Sequence, residues 1–174
     1  KDFDMIGFTL QYELSYTNIL NMLDMSGITI RASERGEDEP IIMAGGPCAY
    51  NPEPLYDIVD FFEIGEGEEM MDDVLEVYAK HKANGKVNKK EFLREISHIG
   101  GIYVPSLYDV SYNEDGTIRE FTPKYEDVPA KVKKRIVNNF DKVSFPDEMI
   151  VPYTDIVHDR VVLETARGCT NGCR

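Results

Sequence analysis

Apolar and polar positions alternate along the chain in blocks that predict strands and helices in turn. Residues 4–10 form a short, nearly continuous apolar run containing Met5, Ile6, Phe8 and Leu10, the pattern of a central parallel strand covered on both faces. Ile19, Leu20, Met22 and Leu23 then recur at helical spacing, so residues 15–25 predict a helix closed by Gly27. A polar, turn-rich stretch over 31–39 separates it from the run 40–44, a second buried strand. Residues 60–64 predict a third strand. The helix expected over 70–81 places Met71, Val74, Leu75 and Tyr78 on one face. A further helix over 90–98 would bury Phe92, Leu93, Ile96 and Ile99, and Gly100-Gly101 ends it.

Beyond residue 101 the pattern changes. Residues 102–104, 107–112 and 117–121 read as an antiparallel hairpin about the turn Asn113-Glu114-Asp115-Gly116. Residues 122–160, with Pro123, Pro129, Pro146 and Pro152, read as a connecting segment with one more short strand. The β-branched run Val161-Val162-Leu163 reads as a buried strand. The alternation over 4–99 predicts an α/β fold, a doubly wound parallel sheet with helices between its strands. The expected organisation is an α/β domain over 1–100, a hairpin and connector over 101–155, and the start of another domain over 156–174.

Composition narrows the function classes. The 174 residues carry 19 basic and 32 acidic side chains, a net charge of −13, and that field disfavours nucleic acid and anionic lipid as partners of this segment. No apolar stretch approaches the ~20 residues needed to span a bilayer, and no signal-peptide pattern opens the chain, so a cytoplasmic location is expected. The chain begins without Met and ends abruptly, so the expectation is a piece of a larger polypeptide. Its three cysteines are an odd number, with two in one loop, which suits a metal site in a reducing compartment better than a disulfide framework.

Candidate chemistry sits in three loops. Gly45-Gly46-Pro47-Cys48-Ala49 follows the second predicted strand, and its glycines would let the backbone approach a ligand. Gly65-Glu66-Gly67-Glu68 follows the third, on the same edge of the sheet, where open α/β sheets bind ligands. Met70 stands where a dinucleotide fingerprint needs its third glycine, and the acids would repel a pyrophosphate. Arg167-Gly168-Cys169-Thr170-Asn171-Gly172-Cys173 puts two thiols four positions apart in a glycine-loosened turn, a loop suited to a metal. Two unrelated or oxidisable cysteines are the plainer reading, and zinc completed by ligands beyond Arg174 is another.

Taken together and in order, these loops resemble B12-dependent radical S-adenosylmethionine (SAM) proteins. In that family Gly-Gly-Pro-His and Gly-Glu-Gly-Glu loops of a Rossmann-like cobalamin-binding-type domain precede a Cys-x-x-x-Cys-x-x-Cys loop in a catalytic barrel. The resemblance covers nearly the whole chain and is closest to a little-characterised bacterial subfamily. It implies a 4Fe-4S cluster held by Cys169 and Cys173, with a third cysteine beyond this sequence, and SAM bound to the cluster's open iron. It implies reductive cleavage of SAM to a 5′-deoxyadenosyl radical acting on an unknown substrate. It makes Gly45, Gly46, Cys48, Gly65, Glu66, Gly67 and Glu68 candidate cofactor-binding residues, with cobalamin the cofactor concerned. Cys48 replaces the family's histidine, and residues 11–16 offer no axial imidazole.

Plainer roles stand beside these. Cys48 suits a small buried side chain. Glu66 and Glu68 suit either a helix N-terminus or a ligand, and Arg167 either the cluster loop or solvent. Tyr12 and Tyr16 suit packing or loop anchoring. His81, His98 and His158 belong to no constellation. The chain alone is expected to be inactive, with Cys169 and Cys173 disordered or unligated. A non-catalytic module that recognises cobalamin, a substrate or a protein is the competing class.

Overall fold

The computed structural model describes residues 2–83, 85–143, 152–157, 160, 162–168 and 170–172. The chain divides into two units, Lys1–Val143 and Ser144–Arg174. In the first, β1 (Met5–Thr9), β2 (Ile41–Gly45), β3 (Phe61–Glu63) and β4 (Ile102–Tyr103) form a four-stranded sheet in the order β1-β2-β3-β4. The first three strands are parallel, with Met5 opposite Ile41 and Met43 opposite Phe61, and β4 is antiparallel to β3. The fold is therefore α/β with a mostly parallel sheet.

Strand order accounts for burial. β2 lies between two neighbours, and Ile41, Ile42, Met43 and Ala44 are all buried. β1 is an edge strand with Gly7 and Thr9 exposed, which corrects the expectation of a central strand. The order runs one way across the described strands, without the reversal that double winding requires. Each fully buried Phe, Ile or Leu contributes about 1.5–3 kcal/mol of transfer free energy, so Phe61, Phe62, Ile41 and Ile42 anchor the domain.

Helix α1 (Tyr16–Met25) follows β1 and buries Ile19 and Leu23. Helix α2 (Gly67–Ala83) starts three residues before its predicted bound; Val74 is buried and Met71 and Tyr78 pack against the core as expected, Met70 is buried as well, and Leu75 is exposed. Helix α3 (Lys89–Ile96) buries Phe92, Leu93 and Ile96, and the Asn88 side chain accepts hydrogen bonds from the Lys90 and Glu91 amides at its N-terminus. Strand β4 joins the main sheet instead of the predicted hairpin, because Gly101, at φ +98°, turns the chain back beside β3. The hairpin itself is β5 (Tyr108–Tyr112) with β6 (Ile118–Pro123).

In the second unit, residues 162–168 carry no regular structure, and Val162 and Leu163 are exposed. The buried strand expected over 161–163 is thus not seen at Val162 and Leu163, and Val161 lies outside the described residues. Among the described residues no helix is long and apolar enough to cross a membrane.

Candidate functional site

Three parallel strands bring their carboxyl ends to one edge, and with them both glycine loops. At the first loop the Leu10 amide donates to the Gly45 carbonyl at 2.6 Å and the Cys48 amide donates to the Leu10 carbonyl at 3.0 Å. Gly46 has φ +103°, and a Cβ there would lie 3.1 Å from the Leu10 carbonyl oxygen. The close approach that selects glycine is thus to the chain's own backbone at Leu10, just past β1. Cys48 is half-buried, and burial and the Glu13 carboxylate push its thiol pKa up, which keeps it protonated at neutral pH. The Tyr16 hydroxyl donates to the Cys48 carbonyl at 3.4 Å, an anchoring role.

The second loop is closed by a segment some seventy positions downstream. The Arg135 amide donates to the Ile64 carbonyl at 2.9 Å, and the Glu66 amide donates to the Arg135 carbonyl at 3.0 Å. The Glu66 carboxylate accepts from the Val137 amide at 2.6 Å. Arg135 in turn reaches Glu69 at 3.2 Å and Asp73 at 3.1 Å on α2. Gly65, at φ +117°, carries the tightest approach in the molecule's described part: a Cβ would sit 2.2 Å from the Arg135 carbonyl oxygen. Gly67 opens α2, and Glu68 lies in its first turn, where the helix dipole favours an acid.

Between the two loops lies a residue that sequence reasoning missed. Glu63, the last residue of β3, is 8% exposed, and its Oε1 has no hydrogen-bond partner among the described residues. Its Oε2 would stand 3.8 Å from a Cβ at Gly45 and 3.7 Å from one at Gly67. Burial pushes its pKa up to about 7, so the group exchanges a proton near neutrality. The available signal was an acid ending the apolar run Phe61-Phe62-Glu63-Ile64. Chemically this edge can hold or pass one proton.

The other candidate residues lie elsewhere. His81 contacts Glu95 at 2.8 Å and packs edge-on to Phe92. His98 faces Asp127 at 3.5 Å. His158, Cys169 and Cys173 lie outside the described residues, and so does the expectation that the two thiols are unligated. Tyr12 is exposed, and its carbonyl accepts the Ser15 hydroxyl at 2.7 Å. Arg167 makes a two-pronged ion pair with Glu164 at 2.8 and 2.9 Å, which lies beside Gly168 at φ +85°. Among the described residues no group of three His, Cys, Asp or Glu is arranged to hold a metal ion. With no imidazole at the sheet edge among the described residues, and with its glycines pressed against Leu10 and Arg135, these residues do not fit a cobalamin held through histidine.

Residues 1–105 match the family described as radical SAM proteins, N-terminal. An uncharacterised protein of Methanocaldococcus jannaschii is 33% identical over 99 residues, covering 51% of this chain and 21% of that protein. The chain thus spans about a fifth of the length of the curated relative it matches. No solved structure matches.

Proposed function

The chain belongs to the radical SAM N-terminal family, and on that premise we propose that it contributes the amino-terminal α/β unit and the cluster loop of a radical SAM enzyme. Two observations coincide to carry this reading: family membership over residues 1–105, and the pair Cys169 and Cys173 placed after Arg167-Gly168. Thiolates suit iron–sulfur clusters, and three of them leave one iron open. Cys169 and Cys173 would supply two, with the third donor beyond Arg174. Reductive cleavage of S-adenosylmethionine to a 5′-deoxyadenosyl radical is the chemistry a 4Fe-4S cluster supplies in this family. Gly168, at φ +85°, turns the backbone just ahead of this pair in the sequence, and Glu164 holds the neighbouring Arg167 at 2.8 Å.

The parent protein, reconstituted anaerobically with iron and sulfide, should show the visible absorption and the low-temperature paramagnetic signal of a reduced four-iron cluster. Cys169→Ala and Cys173→Ala should each abolish both. Stoichiometric zinc without sulfide would replace this reading with a structural metal site. The substrate belongs to the whole enzyme. Glu63 is the group of this chain best placed to exchange a proton at the sheet edge.

A further inference from the structure

Away from the carboxyl edge, a cleft of about 520 Å³ opens between α3, the β2–β3 connection and the β5–β6 hairpin. That volume falls in the range of roughly 300–1,000 Å³ in which small-molecule sites lie. Its apolar wall is the end of a ladder of rings. Phe62, buried in β3, stacks on Tyr103 at 6.0 Å, Tyr103 leans on Tyr108 at 5.3 Å, and Tyr108 stacks on Phe121 at 5.0 Å. Phe121 is 39% exposed and lines the cleft, as does Tyr112. A flat ring placed there extends the ladder by one rung, and offset stacking of that kind contributes about 0.5–1.5 kcal/mol beyond area.

The polar groups around the cleft are unevenly satisfied. Asp60 holds Arg35 at 2.6 Å, Asp57 holds Arg31 at 2.9 Å, Glu53 accepts the Tyr103 hydroxyl at 2.9 Å and Glu37 accepts the Lys89 amide at 3.3 Å. Every acid that lines it is thus engaged. Lys89 and Lys90 enter from the first turn of α3, and among the described residues neither ammonium has a carboxylate at ion-pair distance; Lys89 reaches only the Gly36 carbonyl. Burial pulls the Lys89 pKa down although the nearby Asp60, Glu37 and Glu39 carboxylates act to raise it, and a bound anion would add to their attraction. The Asn88 side chain already takes the Lys90 and Glu91 amides, so the demand for an anion comes from the two ammonium groups. The chain's net charge of −13 opposes this little, because screening confines each charge to about 8 Å at physiological salt.

We propose that this cleft binds a small ligand made of a flat aromatic ring and an acidic group, the ring against Phe121 and Tyr112 and the acid on Lys89 and Lys90. Binding there would not require the Cys169 and Cys173 pair. Adenosine 5′-monophosphate and 4-hydroxybenzoate supply the shared chemistry from a phosphate and a carboxylate source, and adenosine and 4-hydroxybenzyl alcohol are their neutral counterparts. Calorimetry and saturation-transfer NMR on the whole chain should show one acidic probe binding below millimolar concentration and its neutral counterpart about tenfold weaker. Lys90→Glu, on an exposed position that leaves the fold intact, should weaken the acidic probe by about tenfold and spare the neutral one. Phe121→Ala should weaken both. Whichever acidic probe binds identifies the source. Failure of both to bind the unaltered chain at about 5 mM, equal binding of the neutral forms, or an unchanged affinity in Lys90→Glu overturns the proposal.

Discussion

The carboxyl edge of the sheet and the hairpin cleft make opposite use of their residues. The edge holds the loops that stand out in the sequence, yet the chain itself fills it: Leu10 presses on Gly46 and Arg135 on Gly65. The cleft is open, and no motif announces it; its Tyr103, Tyr108, Phe121, Lys89 and Lys90 are scattered over four elements, α3, β4, β5 and β6. A glycine loop therefore reports a close backbone approach without saying whether the partner is a ligand or the chain's own polypeptide. An aromatic ladder reports nothing until the fold assembles it.

The sharpest way to break this contrast is at Gly65. Its positive φ and the 2.2 Å approach to the Arg135 carbonyl leave no room for a methyl group, so Gly65→Ala should cost roughly 4 kcal/mol in urea unfolding. A loss under about 1 kcal/mol would mean that the strap over this loop is dispensable. Glu63 probes the same edge electrostatically. An acid whose folded pKa is raised from 4.5 to about 7 binds more protons folded than unfolded between those values, so stability is greatest below pH 4.5 and falls as pH rises to 7. The span corresponds to roughly 3 kcal/mol, and Glu63→Gln should flatten that part of the stability-versus-pH curve. An unchanged slope would place the ionisation elsewhere. The smallest effect belongs to the hairpin at the cleft: Gly116 also has a positive φ, +82°, but a Cβ there meets nothing within 4 Å. Gly116→Ala should therefore cost only about 1 kcal/mol, measured by the same unfolding. Equal losses at Gly65 and Gly116 would show that backbone conformation alone, and not the pressing segment, sets the requirement for glycine.

Period and punctuation made the α/β class and most elements legible in the sequence. β2 and β3 are short apolar runs bounded by turns, and α1 to α3 carry apolar residues at helical spacing. What stayed hidden depends on distant pairings. Nothing local distinguishes an edge strand such as β1 from a central one, and the pairing of β4 with β3 is decided by Gly101 and by partners forty residues apart. The buried pair of Arg35 with Asp60 joins a stretch that reads only as polar to the start of the third strand, and the guanidinium also donates to the Thr29, Ile30 and Ile58 carbonyls. Glu63 was hidden for the same reason: a charge at the end of an apolar run is ordinary until both neighbouring loops fold over it.

The strap formed by Arg135 and Val137 bears on where this domain can be cut. The family match stops at residue 105, but the Ile64 carbonyl, the Glu66 amide and the Glu66 carboxylate take their partners from residues 135–137. A truncation at the match boundary would strip those partners away and uncover the Gly65 turn. Autonomous folding accordingly needs the polypeptide through about residue 143, and limited proteolysis should release a core of that length in preference to the shorter one.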